Sequence, residues 1–214
     1  TYSLIHDDLP CMDNASLRRG HPTLHTKYGE TLALLVGDGL NTYAFALLAQ
    51  ARLDSQLKLA LIESLAINAG IGGMVLGQML DCEFENQTLA LEQLQTIHTN
   101  KTAKLIATSL EFGTIIANAD SKLRKALYDF GLKLGVYFQL RDDIIDVCRD
   151  SNQAGKTTQN DSHKNSYVNL LGLDGARAEF HRQRQNLQQE LKDFESSIAQ
   201  SLNTLLENYF TDIA

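Results

Sequence analysis

The chain has 214 residues, 43% hydrophobic and 21% charged, so it can bury a full core and is not a disordered polyelectrolyte. Its formal net charge of −7 excludes the Lys/Arg-rich face that a nucleic-acid binder needs. The 3 cysteines, Cys11, Cys82 and Cys148, form no CxxC pair, which argues against a disulfide scaffold or zinc ribbon and for a reducing, cytoplasmic compartment.

With only 2 prolines, long helices can form almost anywhere. Apolar residues recur at threes and fours, as in Leu94, Ile97, Leu105, Ile106 and in Leu127, Phe130, Leu134, Phe138, which is the helix period. In chain order, the pattern predicts a short helix ending near Asp8, then a loop to about Leu24 punctuated by Pro10, Gly20 and Pro22. Helices follow over about 25–51, 55–84, 89–118, 122–149, 166–190 and 194–210, with the polar stretch 150–166 as a loop. The least charged stretch, Ser64–Leu80, contains Gly, Asn and Gln and suits a buried helix, so no stable membrane insertion is expected. The expectation is one all-α domain over 1–214. Because the chain begins inside an apolar-plus-acidic helix with no cap, an N-terminal part is expected to be missing.

Two acidic motifs carry the chemistry. The first is Asp7-Asp8-Leu9-Pro10-Cys11-Met12-Asp13, followed by Leu17-Arg18-Arg19-Gly20. The second is Asp142-Asp143-Ile144-Ile145-Asp146, in which Asp142 and Asp146 share one helix face and Asp143 is adjacent. Like charges at that spacing destabilise a helix unless something offsets them. The apolar flanks Phe138 and Ile144-Ile145 make full solvation a poor remedy. A divalent cation is a good one, since Mg²⁺ takes hard oxygen ligands, one or two carboxylates at a time, and fills its sphere with water and phosphate. Cations follow both motifs: Arg18 and Arg19 after the first, Lys156 and Lys164 after the second. Arg forks phosphate oxygens in a bidentate way, so a substrate with two phosphates fits. No P-loop and no GxGxxG is present, which disfavours a nucleotide.

These motifs, with Tyr2-Ser3-Leu4-Ile5-His6, Lys27-Tyr28-Gly29-Glu30, Gly37-Asp38, Gly77-Gln78, His98-Thr99-Asn100-Lys101-Thr102, Phe138-Gln139, Gly155-Lys156 and Lys164-Asn165-Ser166-Tyr167, resemble the trans-prenyl diphosphate synthases, and within them the bacterial farnesyl diphosphate synthases. The resemblance implies an isoprenoid synthase-type helical bundle around a deep central cavity, with the aspartate motifs across its mouth. It implies Mg²⁺-dependent head-to-tail condensation of isopentenyl diphosphate with an allylic diphosphate, dimethylallyl or geranyl, to give farnesyl diphosphate, in a cytoplasmic homodimer. By the same matching, Asp7, Asp8, Asp13, Asp142, Asp143 and Asp146 are ligands to three Mg²⁺ ions. Arg18, Lys101, Lys156 and Lys164 hold the allylic diphosphate, and Arg19 helps hold isopentenyl diphosphate. Thr102, Phe138 and Gln139 line the reacting region, and Asp7, Asp8, Asp142, Lys101 and Lys156 are the catalytic set. Tyr2, with Ser3, limits product length: Tyr2 lies five residues before Asp7, about 7.5 Å deeper along a helix.

Relatives carry an N-terminal Gly-Lys-x-x-Arg segment that this sequence lacks, Asn14 stands where many have Asp, and Arg141 where many have Gln. A longer-chain polyprenyl or geranylgeranyl diphosphate synthase, or a non-catalytic subunit of one, is the alternative. A terpene cyclase is disfavoured because the second motif is Asp-Asp-x-x-Asp. His6 and His98 read as packed or surface side chains, and the cysteines as small buried hydrophobes. Gln78 and Asp81 read equally as cavity-facing or polar-core groups. Asp38 reads as a satisfied core polar group, and Tyr28 and Phe45 as core.

Overall fold

A computed structural model describes residues 1–148 and 165–210. These fall into two compact units, Thr1–Ile62 and a second formed by Glu63–Cys148 with residues 165–210. The all-α expectation holds, with helices nearly where the periodicity puts them and breaks where the backbone requires them.

In the first unit, α1 (Tyr2–Asp7) leads into a loop and a two-residue hairpin, β1 (Leu17–Arg18) and β2 (His21–Pro22), paired antiparallel. The hairpin was not foreseen. Arg19 and Gly20 take positive φ values of 54° and 77° to turn it. The helix expected over 25–51 divides into α2 (Leu24–Tyr28) and α3 (Glu30–Gln50) at Gly29, whose φ of 88° suits only glycine. α1 lies on α3 where the His6 ring fills the space a Cβ on Gly37 would take, 2.1 Å from His6 Nε2. Nε2 also lies 3.1 Å from the Leu34 carbonyl. Most of α3 is bare: Leu32, Leu34, Leu35, Tyr43 and Leu47 are exposed. Contrary to expectation, Tyr28 is exposed, with Lys27 Nζ 5.1 Å from its ring, and Asp38 is exposed beside His6. Phe45 is half-buried.

α4 (Ser55–Ala69) begins in the first unit and ends in the second. The single helix expected over 55–84 is broken at 70–73, where three glycines cluster, and resumes as α5 (Met74–Glu83). The stretch read as buried presents one buried face, and Ile67, Ile71, Val75 and Met79 are exposed. By length and composition alone, Glu30–Gln50 and Ser55–Glu83 are long and apolar enough to cross a membrane.

The rest of the second unit is α6 (Leu91–His98), a π-turn (Thr99–Ala103), α7 (Lys104–Ile116), α8 (Ser121–Cys148), α9 (Tyr167–Glu190), a 3₁₀ turn (Leu191–Asp193) and α10 (Ser196–Tyr209). α8 supplies the core stripe Leu127, Phe130, Leu134, Tyr137, Leu140 and Ile144. Tyr137 stacks on Phe180 at 4.5 Å, whereas Phe138, one residue on, is turned out and 38% exposed. α8 approaches α7 and the π-turn through a seam of small residues: a Cβ on Gly131 would lie 2.5 Å from Ala107 Cα, and one on Gly135 2.3 Å from Ala103 Cα. A polar knot joins α4, α7 and α8. Buried Glu111 accepts from Ser64 and, at 2.7 Å, from Arg124, while Tyr128 donates to Asn68 at 2.6 Å. That pairing is what allows a carboxylate inside an apolar helix.

Candidate functional site

The first motif straddles the end of α1. Asp7 and Asp8 are both buried, 9% and 5% exposed. The loop beyond them folds back by main-chain bonds, with the amide of Asp13 donating to the Asp7 carbonyl at 2.9 Å and that of Ala15 to the Asp8 carbonyl at 3.2 Å. Thr23 anchors the far side, its hydroxyl donating to the Ala15 carbonyl at 2.7 Å. The hairpin then delivers Arg18: its Nε and Nη2 lie 2.7 and 2.6 Å from Asp8 Oδ1, and Nη2 lies 3.5 Å from Asp7 Oδ2. Burial raises the Asp8 pKa, and Arg18 opposes it. Arg19, at the turn, is exposed. Tyr2 opens α1, and its hydroxyl is buried with no hydrogen-bond partner among the described residues.

The second set gathers on α5, the π-turn, α8 and the start of α9. Gly77 lets α5 touch the π-turn: an added Cβ would stand 2.0 Å from the Lys101 nitrogen. One turn later on α5, Asp81 pairs with Lys101 Nζ at 2.6 Å. π-turns inside helices often mark functional sites. Thr102 Oγ1 donates to Gln139 Oε1 at 3.2 Å, Gln139 Nε2 donates to Asp143 Oδ1 at 3.0 Å, and the Tyr167 amide donates to Asp143 Oδ2 at 2.8 Å. Burial is the main cause that pushes the Asp143 pKa to about 7; Gln139 and the Tyr167 amide oppose it, and Asp142 and Asp146 add to it. Asp142 is half-buried and Asp146 exposed. His98 is buried 5.3 Å from the Tyr167 ring, and burial lowers its pKa to about 4. The packed reading of His98 therefore holds.

Lys156 and Lys164 lie outside the described residues. All three cysteines are exposed and none is in a disulfide, so they are not the buried hydrophobes expected. No group of three or more His, Cys, Asp or Glu side chains able to hold a metal ion occurs among the described residues. Mg²⁺ does not require one: the Asp7–Asp8 pair and the Asp142/Asp146 face offer hard oxygens in the small numbers it uses.

Sequence reasoning missed the Asp81–Lys101 pair, the Tyr167 amide and the Glu111 knot. Asp81 had a signal in Gly77, four residues earlier. The Tyr167 amide had none, since backbone donors are not written in side-chain identities.

The family model "Polyprenyl synthetase" matches residues 1–207, and the chain belongs to that family. It is 47% identical over 182 residues to the farnesyl diphosphate synthase of Geobacillus stearothermophilus, covering 83% of this chain and 61% of that protein. It is 39% identical to the chloroplastic geranylgeranyl pyrophosphate synthase of Catharanthus roseus, covering 98% of this chain and 60% of that protein. The chain thus spans about three-fifths of the curated relatives it matches. Among solved structures it resembles the geranyltransferase of Helicobacter pylori complexed with magnesium and isoprenyl diphosphate, with a TM-score of 0.93, 52% identity, and coverage of 98% of this chain and 70% of that one.

Proposed function

We propose that this chain carries a prenyltransferase activity, the Mg²⁺-dependent condensation of isopentenyl diphosphate with dimethylallyl or geranyl diphosphate to give farnesyl diphosphate. The observation that carries this reading is that both acidic motifs, Arg18 and Lys101 all lie inside the matched stretch 1–207. Relatives at 43 to 47% identity named farnesyl diphosphate synthase support it.

Asp7, Asp8 and Asp13 in the first unit, and Asp142 and Asp146 in the second, would hold Mg²⁺, three ions with substrate bound. When bound, Mg²⁺ supplies charge stabilisation for a leaving diphosphate. The remaining work belongs to the chain. Arg18 presents a planar fork to phosphate oxygens, and Lys101 a point charge; together with Lys156 and Lys164 they would hold the allylic diphosphate, while Arg19 serves isopentenyl diphosphate. The allylic C–O bond breaks with its electron pair leaving on the diphosphate. The isopentenyl double bond attacks the carbon, and one proton departs to the released diphosphate. Thr102, Phe138 and Gln139 would line the reacting region, where water must be kept from the allylic cation.

Tyr2, with Ser3, would set the product at fifteen carbons, a ring about 7.5 Å from Asp7 along α1. We further read the two units as one synthase domain, because the family model runs through both. We read the protein as a cytoplasmic homodimer; the bare leucines of α3 support a large apolar interface. The likeness to a geranylgeranyl synthase keeps a longer product as the second reading.

Incubation with Mg²⁺, isopentenyl diphosphate and geranyl diphosphate, with products resolved by length, tests the reading. Chiefly fifteen-carbon product is expected, lengthening in Tyr2→Ala. No elongation in an assay where a full-length relative turns over would overturn it, and a long ladder from the wild type would overturn the Tyr2 assignment.

A further inference from the structure

We propose that Asp143 is a positioning residue rather than a metal ligand: it pins the first amide of α9 and orients Gln139, leaving Asp142 and Asp146 as the metal-binding pair of the second motif. The inference rests on the Mg²⁺ reading of that motif and deepens it.

Three acidic residues within five positions look equivalent in sequence, but a helix separates them. Asp142 and Asp146 are four apart and share a face. Asp143 is turned about 100° from Asp142. Its own face carries Gln139 four residues earlier, and it lies between buried Leu140 and Ile144. Both of its oxygens are engaged from within the second unit: Oδ1 by Gln139 Nε2 at 3.0 Å and Oδ2 by the Tyr167 amide at 2.8 Å.

Each donor matters for a different reason. Tyr167 is the first residue of α9, and its amide is one of the donors a helix start leaves without an intrahelical partner. Ser166 takes a different one, accepting from the Asn169 amide at 3.1 Å. Asp143 therefore completes a cap whose other half comes from the local sequence, and its negative charge suits a helix start. Tyr167 is itself wholly buried, so this amide has no easy access to water.

Gln139 is the second beneficiary. A carboxylate only accepts hydrogen bonds, so the Gln139 amide must present its NH₂ to Asp143. That leaves Oε1 for the Thr102 hydroxyl, 3.2 Å away. The order Asp143, Gln139, Thr102 reaches the π-turn that also carries Lys101. Asp143→Asn breaks this logic without changing shape, because an Asn amide cannot accept from two donors through both of its terminal atoms.

Hydrogen exchange of the 167–170 amides and Mn²⁺ binding followed by electron paramagnetic resonance test the proposal on the whole chain, and neither needs turnover. Asp143→Asn is expected to speed exchange there by about tenfold or more while leaving Mn²⁺ affinity within about twofold of wild type. Asp142→Asn is expected to do the reverse. If Asp143→Asn weakens Mn²⁺ binding as Asp142→Asn does, or leaves the exchange unchanged, the proposal is wrong. If Asp143→Asn does not fold, the wild type decides. Exchange at 167–170 should not accelerate when Mn²⁺ is added, and acceleration would mean that the ion draws the carboxylate off the amide. A wild type that binds no Mn²⁺ would sink the metal reading of the motif, while the exchange rates still judge the role of Asp143.

Discussion

The two acidic motifs have nearly the same composition and are stabilised in different ways. In the first, one guanidinium spans two buried carboxylates, at 2.6 Å from Asp8 and 3.5 Å from Asp7. In the second, the inward carboxylate is met by two neutral donors, Gln139 and the Tyr167 amide. Their supports differ too. The first motif rests on α3, most of which is exposed, whereas the second rests on α8, where Gly131 and Gly135 meet Ala107 and Ala103 almost in backbone contact. Burial raises the pKa of Asp8 and of Asp143 alike; a guanidinium opposes it at the first, and only neutral donors oppose it at the second.

The largest expected effect tests the packing half of that contrast. Gly135→Val should destabilise the chain by about 3 kcal/mol or more, because Ala103 Cα leaves no room for a side chain. Gly39→Ala on α3, with nothing within 4 Å, should gain up to about 1 kcal/mol from helix propensity. Denaturant midpoints for both check this, and equal losses would erase the contrast. Next, Arg18→Ala should cost about 2 kcal/mol, because it takes the guanidinium away from two buried carboxylates. Gln139→Ala should cost about 1 kcal/mol, the worth of a neutral hydrogen bond. Equal costs, measured by the same unfolding curves, would break the distinction between the motifs.

The pH dependence follows with its sign. The Asp143 pKa is raised from 3.8 to about 7, so its stabilising share is present below about pH 4 and is lost as pH rises to about 7. The metal-free wild type should therefore lose stability relative to Asp143→Asn across that window. His98 works oppositely: lowered from 6.5 to about 4, it contributes above about pH 6.5 and its share is lost as pH falls toward 4. Thermal midpoints from pH 4 to 8 for wild type, Asp143→Asn and His98→Asn separate the two slopes. The smallest effect concerns Lys101. Asp81→Asn should raise the KM for the allylic diphosphate by up to about fivefold with kcat nearly unchanged, since this partly exposed pair only orders the ammonium. Steady-state kinetics report it.

Much of this was legible in the sequence because helix period and acidic spacing are local. α8 and α9 begin within a residue of their expected starts, and Asp142 and Asp146 fall on a common face. What was not legible depends on contacts between elements. Gly29 and the glycines at 70–73 break helices whose apolar pattern runs on unbroken. Tyr28 and Asp38 have residue types that fit a core or a rim equally, and only the course of α3 places them outside. The separation of Asp143 from its two neighbours needed the start of α9, 24 residues away along the chain.

The most direct test of the proposed reading, that the first acidic motif with Arg18 takes up a diphosphate in an Mg²⁺-dependent way, is the thermal shift of the whole chain on adding inorganic pyrophosphate. A rise in Tm with Mg²⁺ present, abolished by a chelator and by Asp8→Asn, is the predicted result. The same rise in the presence of the chelator, or no rise at any Mg²⁺ concentration, would contradict the account.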